Sequence, residues 1–200
     1  MRRNMMMDED GTAVTIDWTG PYSWPGFESE NSLPSIPKHP GIYLMTAEYQ
    51  GGYLLYAAGL SRRPIGARFR EHTRKYMSGD YNVLDITALQ HGIRKELWHG
   101  WGWTEEKRRR FEGQKESVLH AVRKQLAGFR IFVAQVPERP RFLERLEAAI
   151  MDELYRQPPP LGEVPDKGMM LAPRWEPEKP ITIKNRCSHL LHGFPETQRI

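Results

Sequence analysis

An α+β fold, a small three-stranded sheet flanked by helices, is predicted by two features of the chain. Two short apolar, aromatic runs are separated by a glycine pair, and a third such run lies between two stretches of helical period. "GIYLMTA" (41–47) and "YLLYAA" (53–58), joined by "EYQGG", read as a β-hairpin whose loop contains Gly51 and Gly52. From Pro64 to about Tyr76 the period becomes helical, with Ile65, Phe69, Thr73 and Tyr76 on one stripe and proline in the first turn. Residues 77–103 give a short helix around 86–97 and then a Gly/Trp loop, read together as an insertion or lid. A long helix follows over 104–127, capped by Thr104, with Phe111, Val118, Leu119, Val122 and Leu126 as its stripe and Gly128 as its stop. "FRIFVAQV" (129–136) is the third strand, and 139–157 the last core helix, ended by Pro158, Pro159 and Pro160.

The expected organisation is one domain over 1–200. An aromatic, Pro-rich arm (1–38) docks on a core (39–157) that carries an insertion at about 77–127, and a Pro-rich extension (158–200) closes the chain. With 29 Lys and Arg against 25 Asp and Glu the net charge is +4, which permits an anionic partner without demanding one. The single cysteine, Cys187, excludes an intrachain disulfide framework and suits a reducing compartment. There is no apolar h-region at the start and no apolar run of membrane length, so the expected location is the cytoplasm, with no membrane partner.

The residues that hydrophobic packing does not require cluster in a recognisable order: Gly41-Ile42-Tyr43, then Tyr56 to Gly59, then Arg68 and His72 one helical turn apart, then a strand, then a helix bearing Glu147. In this order the chain resembles the GIY-YIG nuclease superfamily over about residues 40–158, a family with a ββαβα core. The resemblance implies metal-dependent hydrolysis of a DNA phosphodiester, with Mg²⁺ as cofactor and Mn²⁺ as its substitute. It also implies Glu147 as the metal ligand and Tyr43 and Tyr56 as the family's two tyrosines, the first activating or positioning the attacking water.

The residues support such chemistry in their own right. Phosphodiester hydrolysis needs a water, a group to take its proton, cations for the phosphoryl oxygens, and usually a divalent ion held by a carboxylate. Arg68 and His72, at i and i+4, project from one helical face; arginine clamps phosphate oxygens and histidine handles protons near neutral pH. Glu147 lies within the apolar stripe of Leu143, Leu146, Ile150 and Leu154, where a carboxylate is costly unless paired or metal-bound. Glu144, on another face, is the fallback ligand. A free phenol at a pKa of about 10 is a poor base, so Tyr43 depends on a nearby cation or metal. Arg62, Arg63, Arg70, Arg74 and Lys75 around the pair suit either a solvated face or a phosphate track.

Several features depart from the family pattern. Tyr56 stands three residues before Gly59, one more than usual. Either Ala58 takes the glycine's place, the preferred reading, or a β-bulge restores the direction of Tyr56. The longer spacing makes Arg70 a competitor of Arg68, and the asparagine expected after the glutamate helix is absent until Asn185. "KRRR" (107–110) reads as a solvated face, "WHGWGW" (98–103) as a core plug or a base-stacking loop, and "CSHLLH" offers Cys187, His189 and His192 without a fourth metal ligand. "PDKGMMLAPRW" (165–175) carries no assigned chemistry. The rival expectations are a sequence-specific restriction-type nuclease, a nucleic-acid-binding module without activity, and a protein-interaction module.

Overall fold

The hairpin at the centre of the molecule follows from its turn. β-strands over Gly41–Tyr49 and Gly52–Ser61 are joined by Gln50 and Gly51, both with positive φ, the geometry that lets a two-residue loop match the twist of its strands. The structure, a computed structural model, describes residues 5–7, 13–102, 104–136 and 140–200. Labelled in chain order, its strands are β1 (Met5–Met7), β2 (Ala13–Ser23), β3 (Gly41–Tyr49), β4 (Gly52–Ser61), β5 (Val83–Leu84), β6 (Glu96–Trp98), β7 (Phe129–Ala134), β8 (Thr182–Cys187), β9 (Leu191–His192) and β10 (Thr197–Arg199). Its helices are α1 (Glu28–Asn31), α2 (Ile65–Met77), α3 (Ile86–Leu89), α4 (Glu105–Gly128) and α5 (Pro140–Arg156).

The expected small three-stranded sheet is corrected by this topology. β3, β4 and β7 are neighbours, yet they sit inside an eight-stranded mixed sheet of order β10-β8-β2-β7-β3-β4-β9, with β1 also paired to β2. The additional strands come from the segments read as arm and extension. β2 runs antiparallel to β7 through Thr19, Tyr22 and Ser23, and parallel to β8 through Ala13–Trp18. β9 adds to β4 at Tyr53 and Leu54 alone. The physical reason lies in the amino-terminal half of β2, where Val14, Ile16 and Trp18 alternate inward and are buried; of the Pro/Gly density that suggested an arm, Gly20 and Pro21 mark the shift in register between Thr19 and Tyr22, and the rest is the loop and short helix after β2.

Alternation along β3 sends Tyr43, Met45 and Ala47 to one core and Ile42 and Leu44 to the other. The first core is covered by α2, through Ile65, Phe69 and Tyr76, and by α4, through Phe111, Val118, Val122 and Leu126. The second is covered by α5, through Phe142, Leu143, Leu146, Ile150 and Leu154. Trp24, just after β2, is fully buried in the first core and donates from Nε1 to Thr73 Oγ1 at 2.8 Å. Thr104 caps α4 as expected, its hydroxyl accepting from the Lys107 N–H. The helix expected over 86–97 is one turn only: Asp85 caps α3, and Gly92 (φ +74°) turns the chain into β6, which pairs with β5.

Phe132 of β7 is fully buried and packs edge-on against Tyr53 of β4 and against His189 of the carboxy-terminal segment. Phe132→Ala is expected to lower unfolding free energy by about 3–5 kcal/mol, read from urea denaturation.

Candidate functional site

The register of β3 on β4 sets Tyr43 opposite Gly59. The Tyr43 ring lies so close to that glycine that a Cβ there would fall 2.3 Å from the hydroxyl oxygen, so any side chain at position 59 would displace the phenol. Phe69 of α2 holds the other side of the ring, edge-on at 4.9 Å. The phenol oxygen is thereby directed to His72, whose Nε2 lies 2.7 Å away, while His72 Nδ1 is 3.3 Å from the Tyr81 hydroxyl. Arg68, one turn before His72 on α2, is paired with Glu71 at 3.3 Å and acts electrostatically on Tyr43, His72 and Glu147.

Glu147 joins this group from the opposite helical layer. Beyond Leu54 the outer edge of β4 is not paired by β9, and α5 covers that edge. The Leu60 N–H donates to the Glu147 carboxylate, and the Ala58 N–H to Met151 Sδ at 3.1 Å. Glu147 and Met151 are four residues apart and so share a face of α5.

Burial sets the protonation states. It pushes the Tyr43 phenol up, a shift that the Arg68 guanidinium opposes. Burial, with Arg68 adding to it, lowers His72 to about 4, so its ring is neutral at pH 7. Burial raises Glu147 to about 7 against the opposing Leu60 N–H and Arg68. A protonated phenol thus faces a neutral imidazole that can accept its proton, beside a carboxyl poised between its two forms.

Tyr56 is resolved by a bulge. Tyr43, Leu44 and Met45 oppose Gly59, Ala58 and Ala57, whereas Thr46 opposes Leu55, leaving Tyr56 as the extra residue. Tyr56 and Ala57 both join the first core and Ala58 the second. The glycine opposite Tyr43 is therefore Gly59, and the reading in which Ala58 replaces it is corrected. Tyr56 does not hydrogen-bond to the Tyr43–His72 pair. Its hydroxyl donates to Asp166 Oδ2 at 2.7 Å, and Asp166 Oδ1 accepts from Asn82 Nδ2 (2.9 Å) and Arg94 Nη2 (2.6 Å).

Among the predicted residues, Tyr43, Arg68, His72 and Glu147 are brought together, and Tyr56 stands in an adjoining node. Glu144 is occupied by Arg62 (2.6 Å) and Arg141 (3.0 Å). Arg63 pairs with Glu71 and Lys75 with Asp80, while Arg70 and Arg74 are exposed and make no ion pair among the described residues. Asn185 is held in the sheet by Trp18 and the Pro195 carbonyl. Within the tryptophan loop, Trp98 is buried and Trp101 is 42 % exposed; Trp103 lies outside the described residues. Tyr81, Asn82, Arg94 and Asp166 were missed, because they stand in segments without periodicity and acquire partners only through the fold.

No protein-family model matches the chain, and no curated protein or solved structure does. Among the described residues no three His, Cys, Asp or Glu side chains form a ready cage for a metal, and no helix is long and apolar enough to cross a membrane. A single carboxylate fits Mg²⁺, which takes one or two carboxylates and completes its shell with water and phosphate oxygens. Glu147, half-buried and held by one N–H, fits that donor set.

Two outcomes are expected. His72 sits below its ordinary 6.5, so its stabilising effect is complete above pH 6.5 and is lost as pH falls from there to about 4. Glu147 sits above its ordinary 4.5, so its effect is complete below pH 4.5 and is lost as pH rises through about 7. The two slopes oppose each other between, and Glu147→Gln should unmask the first: denaturation at stepped pH should show stability rising by about 3 kcal/mol from pH 4 to 6.5 and then staying level to pH 8. Asp166→Ala leaves the buried Tyr56 hydroxyl without its acceptor and Arg94 with only the Val164 carbonyl and Glu96, and should lower stability by about 2–4 kcal/mol in thermal or urea unfolding.

Proposed function

We propose that the protein is an endonuclease that hydrolyses DNA phosphodiester bonds with a divalent cation. The observation that carries this reading is the 2.7 Å contact between the Tyr43 hydroxyl and His72 Nε2, flanked by Arg68 and Glu147 near a strand edge that α5, and no further strand, covers. The order of motifs that resembles the GIY-YIG nucleases supports the same reading.

In this mechanism Arg68 holds the non-bridging phosphate oxygens and offsets the charge that grows on them. Tyr43 positions the attacking water. As the water oxygen bonds to phosphorus and the bond to the leaving oxygen breaks, the water proton passes to Tyr43 Oη and the Tyr43 proton to His72 Nε2. The relay suits a neutral imidazole and does not require the phenol to ionise beforehand. The leaving oxygen takes a proton from solvent. Glu147 would hold Mg²⁺, or Mn²⁺ in its place, and the bound ion would supply Lewis-acid polarisation of the phosphate. Tyr81 orients the His72 ring from its other nitrogen, and exposed Arg70 and Arg74 offer contacts to flanking phosphates.

The test is cleavage of supercoiled plasmid and of a branched-DNA panel in Mg²⁺ or Mn²⁺. Wild type should cut only with the metal, and Tyr43→Phe and Glu147→Ala should each lose at least about 100-fold in rate while remaining folded. Cutting by Glu147→Ala at the wild-type rate removes the metal role from that residue, and DNA binding without cutting in any divalent metal overturns the enzyme in favour of a binding module.

A further inference from the structure

Beside the Tyr43–His72 pair lies an open cleft of about 450 Å³, lined by Lys75, Asp80, Tyr81, Gly100, Trp101 and Gly102. Two of its lining side chains, Tyr81 and Trp101, are aromatic. Tyr81 is the residue whose hydroxyl meets His72 Nδ1, so the cleft begins one side chain from the proposed relay. Trp101 also lines it and is 42 % exposed, whereas Trp98 in the same loop is buried and tied by its Nε1 to the Gly79 carbonyl.

The loop that presents Trp101 is held in place. The Gly100 N–H donates to Asn82 Oδ1 at 2.9 Å, the Lys107 ammonium donates to the Trp101 carbonyl, and Lys75, which also lines the cleft, binds Asp80 at 2.6 Å. A large apolar ring left exposed on an ordered loop is available to a ligand at little ordering cost. Lys75 follows Arg74 on α2, and Arg70 and Arg74, at i and i+4, share an exposed face without ion-pair partners among the described residues. An exposed π-face and a second ring in one cleft, beside the helix that bears exposed Arg70 and Arg74, match one nucleotide: the base stacks, and the arginines are cations for neighbouring phosphates.

We propose that this cleft receives an unstacked nucleobase next to the phosphate held by Arg68, with Trp101 as the stacking platform. The inference rests on the nuclease reading for its position and adds a substrate class to it: DNA with an unpaired base, as in a single strand, bulge or junction, in preference to an unbroken duplex. Taking a base out of a paired stack costs pairing and stacking, and an unpaired base has no pairing left to break.

The experiment measures binding of fluorescein-labelled oligonucleotides by anisotropy, in EDTA so that nothing is cut, using a duplex with a single bulged base and the matched duplex without it. Wild type should prefer the bulged duplex. Trp101→Ala should weaken its binding by at least about fivefold and leave the matched duplex within about twofold, and Trp101→Phe should restore most of the loss. Equal binding of the two DNAs by wild type, an equal loss on both in Trp101→Ala, or no loss on either overturns the cleft assignment. Plasmid cleavage by the same proteins separates the two readings. Selective binding without cleavage removes the nuclease and keeps the cleft, cleavage without selectivity does the reverse, and no binding of any DNA removes both.

Discussion

A sheet covered on both faces separates its two helical layers, so side chains from those layers can meet only where the sheet ends. That constraint organises the candidate site. Tyr43 and His72 belong to the layer of α2, and Glu147 belongs to the layer of α5. They come under one another's influence because β9 pairs with β4 at only two residues and leaves the rest of that edge open. The free N–H groups of Ala58 and Leu60 then need acceptors, and Met151 and Glu147 supply them. One feature thus satisfies backbone polarity and carries a carboxylate around the sheet to a phenol on its other side.

The same edge explains the balance of charge. An unpaired, deeply buried Glu147 would remain protonated, and a solvated one would ionise well below neutrality. One N–H donor and a nearby guanidinium place it between those limits. His72 is displaced in the opposite direction because burial disfavours the charged form of each group, lowering a base and raising an acid, and Arg68 adds to the lowering of His72. Two groups with ordinary values on either side of 5.5 thus exchange their order, leaving a neutral imidazole and a carboxyl between its two forms at neutral pH.

What the sequence showed of the site it showed through anomalies of pattern. Glu147 stood inside an apolar stripe, and Arg68 and His72 repeated at helical spacing beneath a hairpin; both signals are local, and both survive in the structure as a shared neighbourhood. The bulge at Tyr56 left a trace as well, since one additional residue between tyrosine and glycine requires either a substitution or a local extra residue. Asp166 left none. Its three partners stand between 72 and 110 residues away, and neither period nor spacing can signal a contact of that kind. The sheet was underestimated for a related reason: β8 buries only Ile183 along its length, and β2 is broken by a change of partner, so neither reads as a uniform strand.

The pairing of β2 with β8 bears on how the molecule comes into being. Trp18 and Asn185, joined across these strands, are 167 residues apart. At about 5–20 residues per second, the interval between synthesis of the two is on the order of ten to thirty seconds. Over that interval Val14, Ile16 and Trp18 have no permanent neighbour on that side, while the hairpin of β3 and β4 closes with contacts a few residues apart. On the nascent chain the partner that β2 needs on that side is therefore made long after it, and the strand stays unpaired there until β8 is synthesised.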